Sequence, residues 1–236
     1  MTFYLSQSAQ EILTMQVQNW MTFEVVTVDE KASIIKISKI LKDRTIRHLP
    51  VMRKGKLVGM ITSHDVREAL PSKSATLNVH ELHHLLAETK AKDVMTPNPF
   101  TIRPEQTMEA AAVKMLKHRI TGLPVVTEKG DLVGIISQGD VFRVLISITG
   151  IYQGGVQFGF NLEEKPGAIK EVADVIREYG GRLVSILSTS ETADKGYRHT
   201  FIRITTVPEE NLQALIESLE KKFMLLYVAK DPLKDL

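Results

Sequence analysis

Apolar and polar residues follow the same order twice between residues 16 and 148. In each copy, an alternating β-branched segment precedes apolar residues at helical spacing, two short apolar segments around a glycine turn, and a second helical segment. This order predicts a β-α-β-β-α unit in each copy. In the first copy the predicted elements are a strand at 24–28, a helix at 32–44, strands at 48–52 and 56–61, and a helix at 63–70.

The two copies also match residue by residue. Residues 44–66 read RTIRHLPVMRKGKLVGMITSHDV, and residues 118–141 read HRITGLPVVTEKGDLVGIISQGDV. Pro50 matches Pro124 (124 − 50 = 74), and Asp65 matches Asp140 (140 − 65 = 75), because the second turn holds one extra residue. A repeat of this length indicates a duplicated supersecondary unit whose copies bury their apolar faces against each other.

A different pattern follows residue 155. The predicted elements are strands at 156–162, 182–191, 197–206 and 224–230, with helices at 165–181 and 208–223. This β-α-β-β-α-β order is the ferredoxin-like arrangement. The chain is therefore predicted to be an α+β protein with a domain boundary near 148–155, and residues 71–91 between the repeats are predicted to form a loop and a short amphipathic helix.

Composition narrows the classes of function. The 30 basic and 28 acidic residues nearly balance, which argues against a protein devoted to nucleic acid. The sequence has no cysteine, which excludes disulfides and thiolate chemistry. No apolar run is long enough to span a membrane, and the N-terminus lacks the pattern of a secretory signal. We therefore expect a cytoplasmic protein.

Both repeats keep a hydroxyl residue three positions before a carboxylate, as Thr62 with Asp65 and as Ser137 with Asp140. Each pair falls at a predicted helix start, where a hydroxyl and free N–H groups can donate to a phosphate. The carboxylate one turn later can accept hydrogen bonds from a ribose diol. The alternative is that the hydroxyls are only helix caps and the carboxylates only complement the helix dipoles.

The duplicated unit resembles a tandem CBS pair, or Bateman module, through RHLPV…KLVGMITSHDV and TGLPVV…DLVGIISQGDV. Residues 156–230 resemble an ACT domain through EEKPGAI, YGGRLVSI and YRHTFIRI. The combination is similar to the acetoin-utilisation AcuB type. The resemblance gives an N-terminal extension at 1–15, CBS repeats at 16–72 and 92–148, a helical insert at 73–91 and an ACT-like domain at 155–231.

The resemblance implies a regulatory protein without catalytic residues, which binds AMP, ADP, ATP, NAD or S-adenosylmethionine and requires no cofactor. By resemblance, the hydroxyl–carboxylate pairs hold phosphate and ribose while preceding strands bracket the adenine. The implied nucleotide-binding residues are Thr27, Leu49, Pro50, Thr62, Asp65, Thr101, Leu123, Pro124, Ser137 and Asp140.

Polyphosphate ligands would also need cations. Basic residues just before the LPV strands could face a cleft, with Arg47 and Arg119 as the leading phosphate-binding candidates among Arg44, Arg47, His48, His118 and Arg119. Their alternative is a solvated helix end. His80, His83 and His84 share one side of a predicted helix, but no further ligand accompanies them, so no metal site is predicted.

In the ACT-like part, Gly167 could present a backbone N–H to the carboxylate of an amino acid. Glu164 and Arg182 stand where amino-acid-binding relatives often have Asn, which favours dimerisation and signal transmission instead. No nucleophile elbow, P-loop or dinucleotide fingerprint in the right context indicates an enzyme.

We therefore expect a homodimeric sensor that regulates a partner enzyme, with no nucleic-acid or membrane partner. The alternative is a docking module that binds no small molecule. Because His64 stands beside the first motif where Gly139 stands beside the second, we expect the second cleft to be the more open one.

Overall fold

A computed structural model describes residues 14–69 and 86–230. The chain divides into two compact units, residues 1–141 and 142–236, which are described separately. The predicted helix near Val79, the three histidines at 80, 83 and 84, and most of the N-terminal extension lie outside the described residues.

The first repeat forms a sheet with the order β1-β2-β3-β4. Its elements are β1 (Val28–Asp29), α1 (Ile34–Asp43), β2 (His48–Arg53), β3 (Lys56–Thr62) and α2 (Ser63–Ala69), followed by α3 (Ala91–Val94) and β4 (Thr96–Pro97). Ser33 caps α1 by accepting from the Lys36 N–H. The apolar stripe of α1 packs on β2 and β3, with Ile37 and Leu49 fully buried.

The second repeat has the same local arrangement. Its elements are α4 (Met108–His118), β5 (Gly122–Val126), β6 (Leu132–Ser137) and α5 (Gln138–Thr149). Strands β5 and β6 form an antiparallel hairpin, as β2 and β3 do. Thr107 caps α4 by accepting from the Ala110 N–H, and Leu123 and Ile136 are fully buried.

The two repeats exchange the short segments that precede them. Thr22, before the first repeat, pairs with Ile135 in the second, while Thr96, before the second repeat, pairs with Met60 in the first. Met95 covers Gly59 in the same exchange, since a Cβ on that glycine would lie 2.2 Å from the methionine sulfur. Each repeat therefore completes part of the other, which is why the duplicated sequence folds as one unit.

The opening strand of each repeat is shorter than the sequence predicts. The predicted strand at 24–28 reduces to Val28–Asp29, which pairs in parallel with Val51 and Met52. Its counterpart in the second repeat contributes a single parallel bridge from Ile102 to Val125. These segments lie at the edge of their hairpins, where alternation alone does not provide a second pairing partner.

The second unit has the predicted β-α-β-β-α-β order. Its elements are β7 (Val156–Glu163), α6 (Ala168–Glu178), β8 (Leu183–Thr189), β9 (Tyr197–Ile204), α7 (Glu209–Lys222) and β10 (Met224–Lys230). The sheet order is β10-β7-β9-β8, with antiparallel neighbours throughout. Alternate residues of β7 and β9, such as Phe158, Phe160 and Ile202, are fully buried in the core that includes residues of both helices.

The face of this sheet opposite the core contacts the C-terminal end of α5. Arg203 is only 2% exposed, and its Nε donates to the Thr149 carbonyl at 3.0 Å. Ser185 Oγ donates to the same carbonyl at 2.9 Å. A guanidinium at the C-terminus of a helix complements the negative end of the helix dipole, so this charge is stabilised despite its burial.

Candidate functional site

Each hydroxyl–carboxylate pair lies where a strand ends and a helix begins. At the end of β3, the Thr62 N–H and hydroxyl both donate to Asp65 Oδ2, at 2.6 and 2.8 Å. At the end of β6, the Ser137 N–H and hydroxyl both donate to Asp140 Oδ2, at 2.6 and 2.7 Å. The structure therefore brings together all four predicted residues as two pairs with the same geometry.

In both repeats the aspartate accepts from the residue that precedes the helix, as the acidic residue of a capping box does. The Asp65 N–H donates back to Thr62 Oγ1 at 3.3 Å, which completes the arrangement in the first repeat. Burial distinguishes the two carboxylates: Asp140 is 8% exposed, whereas Asp65 is only half-buried. The helix cap that the sequence offered as an alternative is therefore observed for the Thr62 hydroxyl, which accepts from the Asp65 N–H.

The same geometry defines what the pairs could bind. A carboxylate has about four acceptor positions, so an aspartate that takes two donors on one oxygen can still accept from a ribose hydroxyl. The Thr and Ser hydroxyl protons already point to carboxylates. They could donate to a phosphate only after leaving Asp65 or Asp140, so a ribose fits this arrangement better than a phosphate does.

The strand residues differ in how much of them a ligand could reach. Leu49 and Leu123 are 0% exposed as whole residues, so neither presents surface to a ligand in this structure. Pro50 and Pro124, the next residues on the two strands, are also buried. Their roles beside an adenine remain a prediction.

Two threonines of the predicted set lie before the helices that open each repeat. Thr27 is exposed, and Thr101 is half-buried. Lys114 Nζ donates to the Thr101 carbonyl at 2.7 Å, which fixes this part of the second repeat against α4. Their side chains stay candidates for a ligand contact.

The candidate cations do not occupy equivalent places. Arg47 precedes β2 directly and is exposed; its counterpart in the second repeat is Thr121. Arg119 is the residue after α4, in the left-handed region with φ 54°. His118 stacks on Phe100 with ring centroids 3.7 Å apart. Arg47 and Arg119 are therefore two independent candidates for a phosphate contact.

His48 has a position that the sequence did not reveal. Its Nε2 lies 2.8 Å from Thr121 Oγ1, and a Cβ on Gly122 would lie 2.7 Å from its ring. Burial and the Arg47 charge lower the pKa of His48 below its ordinary value, while Asp140 and Asp65 act to raise that pKa. The only signal in the sequence is that His48 matches a glycine in the second repeat.

The expected crowding by His64 is corrected. The His64 side chain is 66% exposed, and its Nε2 lies 3.3 Å from Glu68 Oε1 one turn along α2. A Cβ on Gly139 would meet only Ser137 Oγ at 3.5 Å, an ordinary contact. Positions 64 and 139 therefore do not make the two motifs unequal, because the His64 ring is held toward solvent.

The second unit has an open cavity of about 500 Å³ at the start of α6. It is lined by Glu164, Lys165, Gly167 and Arg198, among others. Gly167 has φ 90° and precedes the first helical residue, so its predicted place at a helix start is observed. Neither the cavity nor the glycine identifies a ligand.

Two further findings concern the described residues alone. Among residues 14–69 and 86–230, no group of three or more His, Asp or Glu side chains is placed to hold a metal ion. No helix in the same ranges is long and apolar enough to cross a membrane.

Comparison with known proteins gives the repeats a family. The CBS domain model matches residues 17–72 and 91–147. The homoserine O-acetyltransferase of Methanococcoides burtonii is 36% identical over 126 residues, which are 53% of this chain and 23% of that enzyme. The uncharacterised protein MJ1426 of Methanocaldococcus jannaschii is 30% identical over 145 residues, which cover 51% of this chain and 86% of that protein.

The chain spans about a quarter of the length of the enzymes it first matches. Enzyme names among the relatives reflect CBS domains within larger enzymes. CBS-pair proteins are typically regulatory modules without a catalytic step of their own.

Two solved structures are also similar. The CBS pair of protein MJ0100, solved with 5′-methylthioadenosine and S-adenosyl-L-methionine, is 30% identical, covers 55% of this chain and 94% of that one, and has a TM-score of 0.47. A structure described as a putative acetoin utilization protein (AcuB) from Vibrio cholerae is 27% identical, covers 60% and 97%, and has a TM-score of 0.49.

Both repeats match the CBS model over the residues that carry the two motifs, and MJ1426 is matched along most of its length. This chain therefore belongs to the CBS-domain family, with two CBS domains in tandem.

Proposed function

We propose that this chain is a non-catalytic regulatory sensor that binds an adenine nucleotide or another adenosyl ligand in its CBS pair. The observation that carries the proposal is the repeated hydroxyl–carboxylate geometry of Thr62 with Asp65 and of Ser137 with Asp140. Packing and capping need an acceptor at a helix start, but they do not require the same hydroxyl and carboxylate in both copies.

In the proposed complex, Asp65 and Asp140 accept hydrogen bonds from the hydroxyls of a ribose. The Thr62 and Ser137 hydroxyls keep each carboxylate in place, because they donate to it before the ligand arrives. Residues around Thr27 and Thr101 bracket the adenine, and exposed cations such as Arg47 meet the phosphates. A site that is already ordered loses less conformational freedom on binding.

The proposed mechanism is a population shift. A ligand changes the balance between two arrangements of the CBS pair only by its difference in affinity for them. At a concentration of about 100 times its dissociation constant, the ligand stabilises the bound arrangement by about 2.7 kcal/mol. A partner enzyme that binds only one of the two arrangements would respond to this shift in their populations.

Thermal melts in AMP, ADP, ATP, NAD and S-adenosylmethionine test the proposal. We expect at least one of them to raise Tm, and we expect Asp65→Ala together with Asp140→Ala to remove the increase. Asp131→Ala is the matched control, since Asp131 is an exposed carboxylate in the β5–β6 turn outside both motifs. A Tm unchanged by every ligand would exclude the nucleotide proposal.

A docking module that binds no small molecule is the second candidate. The observation that favours it is that both carboxylates already accept hydrogen bonds at the helix starts in the protein alone. This candidate predicts no ligand response in the melts. It also predicts that a partner enzyme binds the protein with equal affinity whether or not adenosyl ligands are added.

The proposal extends to the second unit as an ACT-like domain, with a boundary near 148–155. Its element order and sheet order support this assignment. An amino acid at Gly167 is the proposed effector, since the cavity there combines a helix start with Lys165 and Arg198. Melts with single amino acids test this part, and an unchanged Tm would leave dimerisation and transmission as its role.

We further propose that the protein is a cytoplasmic homodimer. Phe142 and Leu145 on α5 are 53% and 51% exposed, which leaves apolar surface for a second copy. Sedimentation analysis of wild type and Phe142→Glu tests the assembly. A monomeric wild type at micromolar concentration would contradict it.

A further inference from the structure

His48 lies where the two CBS repeats meet. It begins β2, directly opposite Thr62 in the pairing of β2 with β3. Its ring reaches the second repeat, where Nε2 lies 2.8 Å from Thr121 Oγ1. Gly122 leaves the space for this ring, and Gly122 itself is paired with Ser137. One side chain is therefore adjacent to the strand ends that carry both motifs.

The charged groups that act on His48 are its neighbour in sequence and one carboxylate from each of two helices. Arg47 directly precedes β2 and disfavours a protonated ring. Asp65 on α2 and Asp140 on α5 favour a protonated ring. Both carboxylates of the proposed ribose sites thus act on the same histidine, one from each repeat.

The hydrogen bond to Thr121 is compatible with both protonation states. A threonine hydroxyl can donate to a neutral imidazole nitrogen or accept from a protonated one. In the protein alone, burial and Arg47 lower the pKa of His48, so the ring is mainly neutral at neutral pH. An added anion within about 10 Å would favour the protonated ring, since charges interact over roughly that distance at moderate ionic strength.

We propose that His48 is a specificity-determining residue shared by both clefts, which favours a phosphate-bearing adenosyl ligand over an uncharged one and increasingly so as pH falls. This inference rests on the proposed function and names the ligand class for the same clefts. Binding of the phosphate takes up a proton on His48, whereas binding of an uncharged nucleoside does not.

Calorimetric titration with AMP and adenosine tests the inference from about pH 8 to about pH 5.5, the range in which histidine titrates. The proteins are wild type, His48→Gln and His64→Gln. Glutamine can still form a hydrogen bond with Thr121, but its side chain does not change protonation state over this pH range. His64→Gln is the matched control, because His64 stands beside the first motif but is exposed and pairs with Glu68.

We expect the ratio of AMP affinity to adenosine affinity to rise as pH falls in wild type and His64→Gln. The rise is about tenfold for each pKa unit by which the phosphate shifts the histidine. In His48→Gln we expect no such rise, because falling pH then protonates the phosphate itself, near pH 6, and lowers its negative charge. Paired titrations in two buffers of different ionisation enthalpy measure the extra proton uptake of wild type.

An equal pH dependence in wild type and His48→Gln would overturn the inference while leaving nucleotide binding intact. Absence of binding by AMP, adenosine and the other adenosyl ligands at every pH would instead overturn the proposed function. The two failures are therefore distinguishable in one set of titrations.

Discussion

The two CBS repeats are nearly the same where contacts are local and differ where the repeats touch. In both, a Thr or Ser at a strand end donates twice to an aspartate three residues later, with distances that agree within 0.1 Å. At the junction, His48 of the first repeat faces Gly122 of the second. Two large side chains related by the duplication would compete for that space, so one repeat carries the ring and the other leaves room for it.

The largest expected effect comes from the cores, where the repeats should behave alike. Leu49→Ala and Leu123→Ala each remove a side chain with no exposed surface. We expect each to lower the free energy of unfolding by about 2–5 kcal/mol. Urea denaturation of the two variants measures both values. If one substitution lowered the free energy of unfolding by more than twice as much as the other, the two cores would not be equivalent.

At the junction between the repeats we expect unequal effects, in contrast to the cores. In Gly122→Ala the new Cβ lies 2.7 Å from the His48 ring, and overpacking of this kind costs about 1–3 kcal/mol. Gly139→Ala is the matched control, because its Cβ meets only Ser137 Oγ at 3.5 Å and alanine favours the helix. A double-mutant cycle with His48→Ala isolates the contact, and additive effects would show that the ring is not the obstacle.

Removal of the carboxylate should cost more stability in the second motif than in the first, because Asp140 is more buried than Asp65. Asp140→Ala leaves two donors of Ser137 without their acceptor at a site where the carboxylate is 8% exposed, so we expect a loss of about 1–3 kcal/mol. Asp65→Ala removes the same contacts in a more exposed place and should cost less. Thermal unfolding at neutral pH compares them, and the reverse order would contradict the burial argument.

The smallest expected effect is a pH dependence at the junction. The folded pKa of His48 lies below 6.5, so the unfolded chain binds more protons between the two values. The contribution of His48 to stability is therefore present above pH 6.5 and decreases as pH falls toward the folded pKa. Without ligand, His48→Gln should unfold with a weaker pH dependence than wild type over this window, whereas His64→Gln should follow wild type.

Part of this architecture could be predicted because its determinants are close in sequence. The β2–β3 and β5–β6 hairpins, the helix starts at 63 and 138, and the two caps depend on residues a few positions apart. The opening strands were predicted too long, because alternation does not show whether a second strand lies alongside. The crowding by His64 was predicted wrongly, although its spacing from Glu68 is the spacing of an i, i+4 pair.

Other features depend on which distant residues meet. Three contacts between the repeats join positions far apart in sequence. Thr22 pairs with Ile135, 113 positions away, Thr96 pairs with Met60, 36 positions away, and His48 approaches Thr121, 73 positions away. A sequence repeat states that two units are alike, but it does not state which positions of one face which positions of the other.

The sequence by itself therefore determined the duplicated units, their caps and the four residues of the two motifs, since hydrogen bonds within one turn of helix are fixed by local spacing. Only the tertiary structure decided that His48, and not His64, makes the two repeats unequal. The physical reason is that burial and contact with Thr121 and Gly122 arise where the two copies pack, and no local pattern specifies that packing.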